Sequence, residues 1–145
     1  MLALLQRVNW AQVSVNHKII GKIQRGMLVF IGVEKEDTHQ KANRLIERLL
    51  GYRIFPDAQN KMNLNIQDIK GKLLIIPQFT LAADTQKGMR PSFSSAADPQ
   101  KGQALFNYFL SKIQEIFPFI EQGEFGAHMQ IELCNDGPVT FLLKT

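Results

Sequence analysis

Two stretches of almost continuous apolar residues stand out along this chain of 145 residues. Residues 27–33, introduced by Gly26, and residues 73–76 have the pattern that is typical of strands buried on both faces of a sheet. Pro77 follows the second run and has no backbone N–H to donate, so regular strand pairing is expected to stop there. These two runs predict the central strands of the fold.

The beginning of the chain alternates apolar and polar positions instead. Residues 2–8 and 11–15 have this period of two, which predicts strands, and Asn16-His17-Lys18 fits a turn into another strand at residues 19–23. We therefore expect an opening β-hairpin, with Gly21 marking a bulge.

Two helices are predicted from apolar positions three and four residues apart. In the first, Asp37 is the expected N-cap of a capping box, and Gly51 ends the helix in a left-handed conformation. In the second, Asp98 is the expected N-cap, Pro99 takes the first helical position and Pro118 follows the end. The expected buried faces are Ala42, Leu45, Ile46, Leu49 and Leu50 in the first helix and Ala104, Leu105, Tyr108, Phe109, Ile113, Ile116 and Phe117 in the second.

The remaining segments give weaker patterns. Residues 53–55 are expected to form a short strand, and residues 62–68 fit either a strand or a loop. Residues 82–95 lack periodicity and predict a long loop. Two last strands are expected at residues 129–135 and 139–143. The whole pattern predicts an α/β fold with more strand than helix.

Composition narrows the class of protein. A hydrophobic content of 45% with 21% charged residues is ordinary for a globular chain, so we expect one domain over residues 1–145. No apolar run approaches the ~20 residues of a membrane helix, and no secretion signal is visible, so we expect a cytoplasmic protein without membrane contact. The single cysteine, Cys134, fits a reducing compartment. A net charge of +4 is compatible with RNA as a partner but does not require it.

The sequence offers few familiar catalytic signatures. The three histidines, His17, His39 and His128, have no partner at metal-ligand spacing, and no glycine-rich phosphate motif is present. We therefore expect neither a metal nor a cofactor. Cys134 fits a small strand residue better than a nucleophile.

Polar residues at the end of the second apolar run are a candidate site. Gln78, Phe79 and Thr80 follow Pro77, and a rigid core strand that ends in polar residues is a natural support for a pocket, here for a small molecule or an RNA end. A hydroxyl nucleophile needs a base within ~3 Å. The sequence shows no such base beside Thr80, which leaves a structural role open for this residue.

The second candidate stretch is Asn135-Asp136-Gly137-Pro138-Val139-Thr140. Asn-Asp-Gly between two strands favours an ordinary hairpin turn. A proline directly after the turn glycine nevertheless limits the pairing of the next strand, and X–Pro bonds are cis in only about 5–6% of cases. The pattern alone indicates an unusual turn, whose role stays open.

Taken together, these stretches resemble the D-aminoacyl-tRNA deacylases. The resemblance is carried by Gln78-Phe79-Thr80-Leu81, Gly88-Met89-Arg90-Pro91-Ser92-Phe93 and the stretch from Asn135 to Thr140, with shorter matches at Gln6-Arg7-Val8, Gly32-Val33-Glu34 and Phe125-Gly126-Ala127. These motifs span the whole chain in the family's order.

The resemblance implies a cytosolic homodimeric hydrolase without a cofactor. Its substrate is the ester that joins a D-amino acid to the terminal adenosine of tRNA, and glycine mischarged on alanine tRNA is removed as well. The implied fold is a compact α/β domain of packed mixed β-sheets, barrel-like, with two main helices outside. This fold is similar to an editing domain of archaeal threonyl-tRNA synthetases.

The same resemblance implies site residues. Gln78, Phe79 and Thr80 line the catalytic pocket, mainly through backbone groups, and the N–H groups of Phe79 and Thr80 stabilise the oxyanion. Gly137-Pro138 matches the family's cis glycyl-proline, which enters the pocket of the partner subunit and excludes L-amino acids by steric clash. The residues implied in substrate binding and chiral selection are Gly137, Pro138, Arg7 and Met129.

Two mechanisms of hydrolysis and one non-catalytic role stay open at this point. In the first, the 2′-hydroxyl of the tRNA activates the water; in the second, Thr80 is a covalent nucleophile. In the third, the chain is a binding module for the tRNA end that has lost hydrolysis. Pro77 keeps this last alternative open, because the family commonly has serine there and proline lacks both the hydroxyl and the N–H. His128, where relatives commonly have an acidic residue, is a smaller departure.

Overall fold

Eight strands, two α-helices and one short 3₁₀ helix form in the part of the chain that the computed structural model describes, residues 1–86 and 88–145. The predicted loop at residues 82–95 includes residue 87, which lies outside the described residues. In chain order the elements are β1 (Leu2–Val15), β2 (Lys18–Ile23), β3 (Gly26–Gly32), α1 (His39–Gly51), β4 (Phe55–Pro56), β5 (Met62–Leu64), β6 (Lys72–Pro77), the 3₁₀ helix (Phe79–Ala82), α2 (Pro99–Ile116), β7 (Ile120–Gln122) and β8 (Met129–Lys144).

A mixed six-stranded sheet is the centre of the molecule. Its strand order is β2-β1-β3-β6-β7, and β8 pairs with β1 along nearly its whole length. β1 is antiparallel to its three neighbours, whereas β3, β6 and β7 are parallel. The sheet curls until Gly21 of β2 faces Gln122 of β7, where a Cβ on the glycine would lie 3.2 Å from the Gln122 carbonyl oxygen. The predicted α/β fold with a nearly closed, barrel-like sheet is therefore confirmed.

Strand β6 contributes to two apolar cores. Leu74 and Ile76 point into the barrel, together with residues such as Val8 and Leu28. The alternate side chains, Leu73 and Ile75, point outward into the larger core that the two helices cover. The prediction of a strand buried on both faces is confirmed, because all four side chains are fully buried.

Two hairpins were predicted, one near each end of the chain, and the structure has the first but not the second. The hairpin of β1 and β2 forms as predicted, with a register shift beside Gly21. Residues 2–8 and 11–15, however, are parts of one strand, and so are residues 129–135 and 139–143. The interpretation of Asn135–Thr140 as a hairpin turn is wrong, because β8 continues on the same side of β1. Gln6 pairs with Thr140 and Val8 with Asn135, so a bulge of four residues, 136–139, lies opposite Arg7 alone.

Helix α1 begins one residue later than predicted. Its N-cap is Thr38, whose hydroxyl accepts from the Lys41 N–H, whereas the Asp37 carboxylate binds the N-terminal ammonium of Met1 at 2.6 Å. The predicted left-handed end is also wrong, since Gly51 is helical and Tyr52 closes the helix in an extended conformation. The predicted buried stripe of α1 is confirmed in full.

Helix α2 has the predicted cap, and its predicted buried face is confirmed in part, at Leu105, Phe109, Ile113 and Phe117. The Asp98 side chain accepts from the Lys101 N–H, and Pro99 begins the helix. Ala104 and Ile116, which were expected inside, are exposed. The buried residues are Gly102, Leu105, Phe106, Phe109, Leu110 and Ile113. Strand β7, three residues long, had no sequence pattern of its own.

The Met1 ammonium ties the two ends of the chain together. It donates to Asp37, to Glu34 and to the carbonyl of Thr145, and Glu34 also accepts from Lys144 at 2.9 Å. Partial burial would raise the pKa of Glu34, but the hydrogen bonds from Lys144 and the ammonium outweigh it, and the pKa falls below its usual 4.5. The stabilisation is therefore present above that value and is lost as the pH falls through the lowered pKa.

Neither α-helix in the described ranges has the length and hydropathy that a bilayer crossing demands.

Candidate functional site

A cavity of about 270 Å³ opens where the parallel strands β3 and β6 end, facing the first turns of α2. Ligand sites of α/β sheets commonly lie at this edge, beyond the carboxyl ends of the strands. The cavity is lined by Ile31, Val33, Pro77, Gln78, Phe79, Ala97, Asp98, Pro99, Gly102, Phe106, Phe125 and Gly126. Most of these side chains are apolar, so a ligand would find a desolvated wall with polar groups at its edge.

The space in the cavity depends on a glycine in α2. A Cβ at Gly102 would lie 3.4 Å from Cζ of Phe125, in contact with the ring. Phe125 in turn lies beside Phe106, with ring centroids 6.1 Å apart. Any larger side chain at position 102 would therefore fill the cavity from the helix side.

The floor of the cavity is the end of β6. Pro77 is the last strand residue, as predicted, and its ring forms apolar wall where a serine would present a hydroxyl. The Gln78 N–H still donates to the Ile31 carbonyl at 2.8 Å, and the chain then turns into the 3₁₀ helix. The first N–H groups of such a helix have no partner within it. Within the described residues, the N–H groups of Phe79 and Thr80 donate to no other group, so both remain available to an anionic ligand.

Thr80 lies beside the cavity but does not line it. Its hydroxyl accepts a hydrogen bond from the side-chain amide of Gln78. No titratable side chain among the described residues is hydrogen-bonded to it, so the base that a hydroxyl nucleophile requires is missing from this chain's own contacts. Phe79 is 60% exposed, and its ring lies 5.1 Å from that of Phe93, which brings the two predicted motifs together at the mouth.

The second predicted stretch forms the bulge of β8. Its Gly137-Pro138 peptide bond is cis, and both residues are exposed. Arg7 holds the bulge from one side, because Nε lies 3.0 Å from the Asp136 carbonyl oxygen and 3.0 Å from Oδ2, while Nη1 donates to the Ile54 carbonyl at 2.8 Å. The guanidinium thus joins the bulge to the chain that follows α1.

The Asn135 side chain holds the bulge from the other side. Its Oδ1 accepts from the Val139 N–H at 3.0 Å, and its Nδ2 donates to the Thr140 hydroxyl at 3.0 Å. Both ends of the bulge are thereby fixed by polar side chains.

The bulge and the cavity lie apart within one chain. Arg7 pairs with Met27 of β3, whereas Ile31, at the cavity, pairs with Ala3. These positions are four residues apart along the strand, which corresponds to about 13 Å at ~3.3 Å per residue. The structure therefore brings Gln78 and Phe79 together at the cavity but places Gly137-Pro138 and its Arg7 elsewhere.

Met129 lies behind the floor of the cavity. A Cβ on Gly123 would lie 2.7 Å from its sulfur and 3.4 Å from Cδ of Pro77, so Met129 and Pro77 both pack against the side of this glycine where a side chain would stand. Met129 contributes to the core inside the barrel and does not line the cavity.

The α2 side of the cavity was missed by the sequence analysis. Gly102 and Phe106 lie on the same buried face as Leu105, Phe109 and Ile113, which were predicted correctly, and extending that stripe by one turn and one neighbouring position would have found both. Among the described residues, no group of three or more His, Cys, Asp or Glu side chains is placed to hold a metal ion.

Comparisons with known proteins agree with this geometry. A family model described as D-Tyr-tRNA(Tyr) deacylase matches residues 4–144. Two curated relatives, both named D-aminoacyl-tRNA deacylase, come from Salmonella typhimurium (strain LT2) and Salmonella arizonae. They are 57% and 56% identical to this chain over 144 residues, which is 99% of this chain and of each relative.

Two solved structures have the same fold. A protein described as c-Myc DNA unwinding element binding protein superimposes with a TM-score of 0.96 at 34% identity, covering 100% of this chain and 99% of its own. A protein described as a probable eukaryotic D-amino acid tRNA deacylase gives a TM-score of 0.88 at 18% identity, covering 98% and 97%. The second likeness shows the fold alone.

Proposed function

Since this chain belongs to the D-Tyr-tRNA(Tyr) deacylase family, with a match over residues 4–144, we propose that it hydrolyses the ester between a D-amino acid and the 3′ end of tRNA. The observation that carries the proposal is the apolar cavity at the end of β6. Within the described residues, the backbone N–H groups of Phe79, which lines the cavity, and of Thr80, which lies beside it, have no hydrogen-bond partner. Such a site suits an ester carbonyl, which becomes an oxyanion during hydrolysis.

The N–H groups of Phe79 and Thr80 stabilise this oxyanion. Water adds to the ester carbonyl, the negative charge moves to the carbonyl oxygen, and the 3′-oxygen of the tRNA then leaves with a proton. One such donor is worth roughly 3–4 kcal/mol in the transition state. Because an aminoacyl ester is already activated, the site needs no nucleophile of its own.

The proton of the attacking water passes through the 2′-hydroxyl of the terminal adenosine, which accepts it while giving its own proton to the leaving 3′-oxygen. This hydroxyl lies next to the ester in any bound substrate. Among the described residues, no titratable side chain is hydrogen-bonded to Gln78, Phe79 or Thr80, and Asp98, on the α2 side of the cavity, accepts from the Lys101 N–H. We assign the activation of water to that hydroxyl, which makes the catalysis substrate-assisted.

A second copy of the chain supplies the chiral filter. The bulge with Gly137-Pro138 is exposed and lies about 13 Å along the sheet from its own cavity, and it is not part of that cavity's lining. In a homodimer the bulge of one protomer reaches the cavity of its partner. Its carbonyl oxygens then hold the ammonium of the substrate and occupy the direction in which an L side chain would point.

The same filter explains the range of substrates. A D side chain points away from the bulge, whatever its size, and glycine has no side chain to reject, so glycyl-tRNA mischarged on alanine tRNA is also cleaved. Charged tRNA is the partner, and the cytoplasm, where it is used, is the proposed location.

Three substrates test the function in one experiment. We expect cleavage of D-tyrosyl-tRNA well above buffer and cleavage of L-tyrosyl-tRNA at least about a hundredfold more slowly, since a clash costs several kcal/mol. A D-tyrosyl-tRNA that ends in 2′-deoxyadenosine should react far more slowly than its ribose counterpart. Absence of cleavage of D-tyrosyl-tRNA would favour a binding module, and equal rates for the last pair would exclude the role of the 2′-hydroxyl.

Replacing Thr80 by alanine tests the covalent alternative. Within the described residues, the partner of this hydroxyl is the Gln78 amide. Its loss should therefore lower kcat/KM by no more than about tenfold, the scale of one neutral hydrogen bond. Removal of a covalent nucleophile lowers kcat by at least about a thousandfold. Single-turnover cleavage of D-tyrosyl-tRNA measures the difference, with Thr80→Ser as the matched control. A loss of the larger size in a folded variant would restore Thr80 as the nucleophile.

A further inference from the structure

A second concave surface lies on the outer face of α1, away from the cavity. It encloses about 610 Å³ and is called the α1 groove here. It is lined by Gln40, Lys41, Asn43, Arg44, Glu47, Arg48, Lys144 and Thr145. Four of these eight side chains are cationic and one is acidic, whereas the whole chain has 17 Lys and Arg against 13 Asp and Glu. The groove is therefore a local concentration of positive charge.

The spacing of the cations places them along one line. Lys41, Arg44 and Arg48 are separated by three and four residues, so they share one face of the helix. From Lys41 to Arg48 this face extends about 10 Å at 1.5 Å per residue. Lys144 joins them from the end of β8. Aromatic side chains are absent from the lining, which argues against stacking on a nucleobase.

Acidic neighbours neutralise these cations only in part. Asp37 pairs with Lys41 but also with the Met1 ammonium, and Glu34 is shared between Lys144 and the same ammonium. Arg44 pairs with Glu47 at 2.8 Å, but both side chains are about two-thirds exposed, so solvent weakens this pair. Arg48 donates to the Lys144 carbonyl at 2.6 Å, which is a neutral partner. Within the described residues, no carboxylate oxygen lies within 4.0 Å of its guanidinium, so its charge is available to an anion.

The groove and the cavity share no lining residue, but residues 33–35 connect them. Val33 lines the cavity, and the next residue, Glu34, accepts from Lys144 of the groove. Lys101, in the first turn of α2, donates to the Lys35 carbonyl and adds a cation beside this segment. A chain of phosphates leaving the cavity would therefore meet positive charge at once.

On these observations, and resting on the proposed function, we propose that the α1 groove binds the phosphodiester backbone of the tRNA acceptor stem while the esterified 3′ end occupies the cavity. A double-stranded RNA stem presents phosphates and 2′-hydroxyls along its outside, which cationic side chains recognise without reading bases. The groove would then serve any tRNA and would add affinity without taking part in the chemistry.

The double variant Arg44→Gln/Arg48→Gln tests this proposal with two substrates. For D-tyrosyl-tRNA, kcat/KM should fall on the order of tenfold or more, mainly because KM rises. The slope of log kcat/KM against log salt concentration should become shallower by about two. For D-tyrosyl-adenosine, which has no stem, kcat/KM should be unchanged. Arg44→Lys/Arg48→Lys keeps the charges and should restore most of the loss.

A matched control removes two charges elsewhere. Lys18 and Lys22 are exposed on β2, and Lys18 pairs with Val15 at one end of β1 whereas Lys144 pairs with Leu2 at the other. Lys18→Gln/Lys22→Gln should leave both substrates unaffected. An equal loss for the two double variants, no loss for the arginine variant, or a loss that is the same with D-tyrosyl-adenosine would each overturn the proposal.

Different results would refute the proposed hydrolysis and the proposed role of the α1 groove. If the wild-type protein cleaved neither substrate, the proposed function would be wrong. Binding of uncharged tRNA, measured for the same variants by filter retention over a range of salt, would still test the groove. Unchanged tRNA affinity in the arginine variant would then reject it.

Discussion

Replacing Gly137 by alanine is expected to lower kcat/KM for D-tyrosyl-tRNA on the order of a hundredfold and to weaken discrimination against the L ester. Gly137 has φ 139°, a region that L side chains rarely adopt, and a Cβ there would lie 2.6 Å from Cγ2 of Val139 and 2.8 Å from its N. The bulge must shift to relieve these contacts. A displacement of about 1 Å in a group that positions the substrate can lower rates by about 10².

The fold should survive this change, because the bulge is exposed and local backbone strain costs about 1–3 kcal/mol. Thermal unfolding checks that point, and single-turnover rates with D- and L-tyrosyl-tRNA give the discrimination. Gly51→Ala is the control, since it adds the same methyl group where nothing lies within 4 Å. Unaltered rates for both esters in Gly137→Ala would show that the bulge takes no part in the site.

Replacing Asp37 by asparagine is expected to lower the free energy of unfolding by about 3 kcal/mol, at the lower end of the 3–5 kcal/mol typical of breaking a buried ion pair. The side chain of Asp37 and Met1 are both 0% exposed, and their charged groups lie 2.6 Å apart. Without the carboxylate, the ammonium stays buried with only Glu34 as an ionic partner, at 3.3 Å. This remaining contact is the reason for the lower figure.

Urea denaturation at neutral pH measures this loss. The control is Glu47→Gln, which removes the partner of Arg44 from a pair whose side chains are 66% and 65% exposed. Exposed pairs of this kind contribute about 0–1 kcal/mol. Equal losses of unfolding free energy in the two variants would mean that burial does not increase the contribution of the Met1–Asp37 pair to stability.

The features that the sequence predicted correctly depend on residues that are close together in the chain. Asp98 and Pro99 identify the start of α2 because a helix cap needs only residues three positions away. The apolar run 73–76 and Pro77 likewise locate β6 and its end, and with them Gln78 and Phe79 at the cavity. These features required no knowledge of distant partners.

The errors arose where distant partners decide the structure. Asp37 has good capping chemistry, yet it binds Met1, 36 residues away, and Thr38 takes over the cap. Asn-Asp-Gly has good turn chemistry, yet β8 continues because β1 pairs with both of its halves. The separation of the bulge from the cavity depends on strand register, which no local pattern contains.

The two cores that share β6 determine which parts of the molecule can fluctuate locally. Leu73 and Ile75 are locked on one side of the strand and Leu74 and Ile76 on the other, so fluctuations that loosen either core alone leave the strand anchored by the other. Loops around the rim can open at small free-energy cost, whereas we expect β6, and with it the Pro77 end of the floor, to move only with global unfolding. The shape of this part of the cavity would then persist nearly up to the melting temperature.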